Sequence, residues 1–254
     1  MENRTLKLLP REEKETNRDY AYRVIRRNIL IMHFPPGSTL NENEIAEALH
    51  VSRTPVHEAM ARLKSESFVE IFPQSGTRVS LINIQYVRDG VFFRNVAEQA
   101  IYKEITEKFT PDYSGKLEEN IERFSRLIER IEKGNGNSDP QHDYESVIDD
   151  IISIDDEFHK IAYEAANRSF LWQPVKNVCA HFDRIRYAEF ALRKSNLNHV
   201  YEDHMKIHEY LLVGGLPDLD FEKFYYGHLT YFKKYFFAMY HEMPQYFIMD
   251  KENL

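Results

Sequence analysis

The chain contains a single cysteine, Cys179. No disulfide can close within it and no cysteine-based zinc cage can form, which fits a reducing cytoplasm. No run of about 18 apolar residues occurs, so a membrane-spanning helix is not expected. Met1 to Arg18 are polar and charged and lack the apolar stretch of a secretory signal. Internal repeats and low-complexity segments are missing as well. What is present is an ordinary globular composition: 254 residues, 43% of them hydrophobic, enough for one large domain or two of moderate size.

The formal net charge is −8, which argues against nucleic acid as a partner until its distribution is considered. Residues 1–82 hold 12 basic and 11 acidic side chains, a net of +1, while the remainder carries a net of −9. Affinity for DNA depends on local cations that reach phosphates, not on the total. The first third is therefore compatible with DNA, and the acidic remainder is not the DNA face.

Ala21, Ile25, Ile29 and Met32 recur at helical spacing and predict a helix over 18–33, stopped by Pro35-Pro36-Gly37. A short second helix fits 42–49, with Asn41 as N-cap and Glu44 three residues on, as in a capping box. A third fits 53–66 on Val56, Ala59, Met60 and Leu63, with either Ser52 or Thr54 as its cap; Pro55 is tolerated in the first turn. The runs 68–72 and 77–80, on either side of Pro73-Gln74-Ser75-Gly76, predict a β-hairpin. Three helices followed by a hairpin is the order of a winged helix-turn-helix. Beyond residue 82 the pattern is helical, with helices expected near 83–108, 111–132, 144–167, 170–193, 200–213 and 218–241 and a flexible loop over 134–140. The fold expected is mostly α: a winged helix-turn-helix DNA-binding domain over 1–82, its wing a small β-hairpin, then an all-α helical-bundle domain over 83–254.

The string Asn41-Glu-Asn-Glu-Ile-Ala-Glu-Ala-Leu-His-Val-Ser-Arg-Thr-Pro-Val-His-Glu-Ala-Met-Ala-Arg-Leu63 closely resembles the signature of the GntR family of bacterial transcription regulators. Pro36-Gly37 before it, and Gly76 with Arg78-Val79 after it, fit as well. The resemblance implies a recognition helix that starts near Arg53 and enters the major groove of double-stranded operator DNA. It places Asn43, Arg53, Thr54, His57, Gly76 and Arg78 at the DNA. Arg53 and Thr54 stand at a helix N-terminus, where free amides favour a phosphate, and Arg53 can read guanine bidentately. The chain departs from the family at His57, where arginine is usual; a neutral histidine is a weaker phosphate ligand. The competing reading is a trihelical module used for protein contacts.

The helical part carries a second signal, independent of any family. Ile148, Ile152, Asp155, His159, Ala162 and Ala166 keep one face of a helix, so a carboxylate and an imidazole stand where core residues belong. Phe221, Tyr225, His228, Phe232 and Tyr235 form a second such face, and His204, Ile207 and Leu211 a third. Burying charge and imidazole costs several kcal/mol unless they are paired. If the three helices converge, Asp155, His159, His204 and His228 make a natural site for a divalent metal ion, zinc foremost, with nickel, manganese or iron as other choices. His208, one turn from His204, is a rival ligand, and Asp156 rivals Asp155 but falls off the stripe. A metal-free, hydrogen-bonded cluster is the alternative.

These same residues resemble the metal-binding pattern of the FCD-type ligand domain, which follows the GntR module in one branch of the family. Asp155 to His159 matches its Asp-x-x-x-His element, Asp203-His204 its acid-His element and Gly227-His228-Leu229 its final histidine. The resemblance implies a metal that orients a small carboxylate effector, and a homodimer with one winged module per half-site that represses until effector binds. Arg94 and Glu98, inward on the stripe Val87, Val91, Ile101 and Ile105, resemble the domain's Arg-x-x-x-Glu element. Arg94 either clamps the effector carboxylate or pairs internally with Glu98. A non-enzymatic regulator is expected. The alternatives are a helical metal-dependent hydrolase, disfavoured because four protein ligands leave little room for water, and a regulator with a purely structural metal.

Overall fold

The computed structural model describes residues 6–108, 110–133, 140–191 and 196–249, side chains excepted at 140–146 and 191. The expected loop over 134–140 lies almost wholly outside the described residues. Internal contacts divide the chain into two compact units. One takes in the described residues up to Asp89 together with Asn177–Ala188 and those from Phe237 onward; the other takes in Gly90–Lys176 and the described residues of Glu189–Phe236.

In the first unit α1 (Asn17–Leu30) packs on α3 (Arg53–Ser65), with α2 (Glu42–Ala48) between them in sequence. Thr16 caps α1 by accepting from the Asp19 amide. The helix stops before Met32, which takes φ +60, and the Phe34 amide folds back onto the Asn28 carbonyl. Asn41 caps α2 as expected, accepting from the Asn43 and Glu44 amides, while Glu44 answers to the Asn41 side-chain amide. Ser52 is the N-cap residue of α3 but makes no side-chain cap bond. Val56, Ala59, Met60 and Leu63 are fully buried.

The wing is β2 (Val69–Phe72) and β3 (Gly76–Val79), antiparallel with Val69 opposite Val79 and Phe72 opposite Gly76; β1 (Thr39–Leu40) pairs on the far side of β3. Gly76 has φ +89, a backbone state that side chains with a Cβ resist. Sequence patterning did not anticipate β4 (Ile82–Asn83), which pairs in parallel with β5 (Phe247–Ile248).

The remaining elements are helices: α4 (Ile84–Thr106), α5 (Pro111–Lys133), α6 (Pro140–Ala165), α7 (Trp172–Val178), α8 (Ala180–Ala191), α9 (Leu197–Leu212), α10 (Phe221–Leu229) and α11 (Lys233–Glu242). α5 packs against α6 and α9 through Leu117, Phe124, Leu127 and Ile128. Two of the expected helices are each broken in two. The stretch 170–193 breaks at Cys179, where the half-exposed α7 gives way to α8, whose residues 180–190 are all buried. The stretch 218–241 breaks at Thr230, whose hydroxyl donates back to the Tyr226 carbonyl while the next amides bond three residues back instead of four.

α8 brings buried charge into the first unit. Arg184 donates from Nη1 to Ser80 Oγ at 2.9 Å and from Nη2 to the Ser80 carbonyl at 2.8 Å. Asp183 takes Arg186 Nη1 at 2.9 Å and lies 3.6 Å from Arg26 of α1. His181 Nδ1 accepts the Asn83 amide at 3.1 Å, and its ring meets Tyr86 edge-on. Burial lowers the Arg184 guanidinium to about 9. Burial, then the neighbouring Arg184, lowers His181 to about 3.

Candidate metal centre and DNA-reading face

The four inward polar residues of the helical stripes meet. Each of Asp155 and His159 on α6, His204 on α9 and His228 on α10 offers a ligand atom, and these atoms all lie within 4.8 Å of one another. Asp155, His159 and His204 are buried, and the His228 side chain is 6% exposed. His159 Nε2 is 3.4 Å from His228 Nε2, and His204 Nε2 is 3.3 Å from Asp155 Oδ1. Nitrogen ligands at 2.0–2.1 Å in a tetrahedron stand about 3.3 Å apart, so these two separations suit a shared cation. Phe158 stacks flat on His204, ring centroids 3.9 Å apart, and fixes its plane.

Each of two histidines has its other nitrogen tied to a carboxylate. His159 Nδ1 lies 2.9 Å from Glu98 Oε2 on α4, and His228 Nδ1 lies 3.0 Å from Asp203 Oδ2 on α9. Such partners fix the tautomer, so that Nε2 is left as the basic nitrogen facing the cluster. Burial, then Arg94, holds His159 well below the ordinary imidazole range; it is neutral, the state a ligand needs. Burial opposes ionisation of Glu98, but Arg94 and His159 outweigh it and hold the carboxyl below its usual range. Arg94 Nε donates to Glu98 Oε1 at 2.8 Å, and the hydroxyls of Tyr225 and Tyr163 also donate to Glu98. Tyr102 OH and Tyr225 OH both lie within hydrogen-bonding distance of His159 Nδ1.

His204 tests whether the site suits a metal. Among the described residues neither of its buried ring nitrogens makes a hydrogen bond of good geometry, although Asp155 Oδ1 stands 3.3 Å from Nε2. An orphaned buried polar atom costs about 1–3 kcal/mol. A cation held by Nε2 removes one of the two orphans, and three imidazoles with one carboxylate are a fitting donor set for a first-row divalent ion.

The rivals resolve differently. His208 Nε2 faces the Ser114 hydroxyl at 3.0 Å, with Glu118 at 3.7 Å, and stands apart from the cluster. Asp156 takes Lys176 Nζ at 2.7 Å. Arg94 and Glu98 form the internal ion pair, with both side chains no more than 4% exposed. Sequence reasoning did not assign Glu98, Asp203 or the tyrosines to the histidines. The acid immediately preceding His204 was a signal for Asp203; Tyr225 stood on the inward stripe of His228, but nothing in that spacing pointed its hydroxyl at Glu98 and His159.

In the first unit Asn43, Arg53, Thr54, His57, Gly76 and Arg78 are all exposed. One carboxylate, Glu42, holds two of them: Arg53 Nε at 3.2 Å and His57 Nδ1 at 3.2 Å. Arg78 lies over the Phe72 ring at 5.7 Å, which lays the cation along the hairpin. Among the described residues no helix is long and apolar enough to cross a membrane.

A winged helix-turn-helix on the same chain as a helical domain with converging inward ligands defines a class, the DNA-binding regulators of transcription. Residues 17–79 match the bacterial regulatory proteins of the gntR family, and residues 94–214 match the FCD domain. Over 169 residues the chain is 31% identical to the HTH-type transcriptional repressor RspR of Escherichia coli K12, covering 66% of this chain and 68% of that one. It is 27% identical over 176 residues to the Nta operon transcriptional regulator of Aminobacter aminovorans, covering 69% and 74%. The solved structure of E. coli McbR/YncC has the same fold, with a TM-score of 0.63 at 18% identity over 90% of this chain and 99% of that one. The chain belongs to the gntR family of bacterial regulatory proteins, in the branch whose DNA-binding module is followed by an FCD domain. The FCD match ends at Gly214, so His228 lies beyond the matched stretch.

Proposed function

We propose that this regulator is a cytoplasmic repressor that binds a roughly palindromic operator as a homodimer, and that a small carboxylate metabolite, held at a divalent-metal site in the helical domain, modulates that binding. Functionally we assign 1–82 to DNA and 83–254 to metal and effector. The observation that carries the sensing half is the meeting of Asp155, His159, His204 and His228, whose ligand atoms lie within 4.8 Å of one another inside the helical unit. These four would hold the ion, zinc by the chemistry of the donors. With these four ligands in place, a divalent ion that admits more than four donors would supply an electrophilic anchor for one carboxylate oxygen. Glu98 and Asp203 keep His159 and His228 in the tautomer that presents Nε2. Arg94, the cation behind Glu98, is the proposed clamp for the effector's second oxygen; it exchanges part of its pairing with Glu98 for the incoming acid.

At the operator, Arg53 and Thr54 meet phosphate or guanine at the start of α3, Asn43 and His57 flank them, and Arg78 beside Gly76 follows the groove from the wing. Glu42 holds Arg53 and His57 until DNA competes for them. Arg53→Ala weakens operator binding, and because Arg53 reads a base it also relaxes sequence preference at one position.

Regulation requires that the effector bind the DNA-competent and DNA-incompetent states unequally. A coupling of the usual size changes operator affinity by about 5–150-fold. Operator binding followed by fluorescence anisotropy, with a panel of small acids and with or without chelator, tests the proposal. The expected result is an acid that weakens operator binding only in the metal-loaded protein. Effector binding that survives chelation overturns the metal's role, and an operator affinity indifferent to every acid and to metal overturns the sensing role.

A further inference from the structure

A cleft of about 400 Å³ opens between α5 and α6 in the second unit, and none of the four residues of the metal cluster lines it. Its size falls within the roughly 300–1,000 Å³ of small-molecule sites. Arg123, Arg126 and Arg130 follow offsets 0, 3 and 7 on α5 and line the cleft together, against a single lining carboxylate, Asp150 of α6. This local surplus of cations runs against the net of −9 carried by residues 83–254. Leu127 and Ile154, both buried, supply the apolar part of the lining, and the exposed Ser153 supplies a hydroxyl. The three arginines differ in what holds them. Arg126 is exposed and has no ion pair or side-chain hydrogen bond among the described residues. Arg123 gives Nη1 to Glu157 at 2.6 Å and Arg130 gives Nη2 to Asp150 at 2.9 Å, each through a single guanidinium nitrogen. Both pairs are about half exposed, and such pairs contribute little. Glu157 also takes Asn120 Nδ2 at 3.3 Å, so it keeps a donor when Arg123 turns away. An anion in the cleft can therefore draw on all three guanidiniums without stranding a buried charge.

We propose that this cleft binds the phosphate group of a small phosphorylated metabolite, a second input to the protein that depends neither on the metal cluster nor on its effector. A planar carboxylate presents two oxygens and is satisfied by one guanidinium fork. A phosphate ester presents three terminal oxygens directed apart, which suit forks arriving from successive turns of a helix. Arg126 takes the central place, Arg123 and Arg130 close on it from either side, and the Ser153 hydroxyl donates from α6. The organic part of the ester lies over Leu127 and Ile154. That apolar lining favours an ester over free phosphate, which has nothing to set against it.

Isothermal titration of the full chain at constant ionic strength tests this, with adenosine monophosphate, adenosine and inorganic phosphate as probes and with circular dichroism and metal stoichiometry as checks of folding. The expected result is that adenosine monophosphate binds, inorganic phosphate binds more weakly, and adenosine does not bind. Arg126→Gln weakens the binding of adenosine monophosphate about tenfold or more. Ser153→Asp, which adds a second carboxylate to the cleft, abolishes it, and Asp150→Asn, which releases Arg130, tightens it. Adenosine monophosphate that fails to bind, or that binds Arg126→Gln and Ser153→Asp as tightly as the parent, overturns the site. Adenosine binding as tightly as its monophosphate overturns the role of the phosphate, and inorganic phosphate binding as tightly as the ester overturns the role of the apolar lining.

Discussion

Glu98 is the most heavily engaged carboxylate at the cluster: Arg94, Tyr163, Tyr225 and His159 all converge on it. Its spacing from Arg94 announces an ion pair, and that pair is there. Its contact with His159 depends on α4 approaching α6, which no periodicity encodes. By contrast Asp155 and His159 were legible because a polar residue on a buried stripe violates the pattern around it. If Glu98 and Asp203 orient metal ligands, Glu98→Gln and Asp203→Asn should each lower divalent-metal affinity about 10–100-fold, read by competition with a chromophoric chelator; parental affinity in both would remove that role. His181 makes a separate prediction. Its folded pKa of about 3 lies below the ordinary 6.5, because burial, and then the neighbouring Arg184 guanidinium, disfavour the imidazolium. Between those values the unfolded chain takes up a proton that the folded chain refuses, so stability falls as pH drops through this window and levels off below about 3. From pH 7 to pH 5 the loss due to this group is up to about 2 kcal/mol. Urea titrations should show His181→Gln losing correspondingly less than the parent over that interval, and equal losses would refute the assignment.

At the scale of elements, the DNA-binding helices and hairpin were readable because their signals are local: caps, a Gly-containing turn, a 3.6-residue stripe. Asn41→Ala removes the α2 cap and should cost about 1 kcal/mol in urea unfolding. Gly76→Ala forces a Cβ into φ +89 at a cost of about 1–2 kcal/mol, although no atom lies within 4 Å of that Cβ. The penalty is therefore conformational, and a variant as stable as the parent would mean that the turn relaxes. The helices of the second half were harder to delimit. Asp183-Arg184-Ile185-Arg186 has the composition of a solvated face, yet all four are buried in α8, where Asp183 meets Arg26 and Arg184 meets Ser80, partners about a hundred residues or more away in sequence. The break at Thr230 depends on one hydroxyl choosing a backbone carbonyl, a choice that composition does not reveal.

At the scale of the molecule, the first unit is assembled from three stretches of chain. Sequence patterning divides the chain once, near residue 82, because it registers where strand chemistry yields to long helices. It has no means of seeing that Ile82 and Asn83 pair with Phe247 and Ile248. Phe247 is buried, and Phe247→Ala should destabilise the protein by about 3–5 kcal/mol while speeding hydrogen exchange at the Ile82 and Asn83 amides. Loss of stability without faster exchange there would show that β5 does not hold β4. The parallel β4–β5 pair also sets a timetable for biosynthesis. As the ribosome delivers the polypeptide from its amino end, the wing and the three helices before it emerge early, but the strand that completes their unit emerges about 165 residues later. Translation at about 5–20 residues per second leaves the nascent operator-binding module without its last strand for roughly ten seconds or more, so a stalled or prematurely terminated message yields a reader of DNA that is never closed.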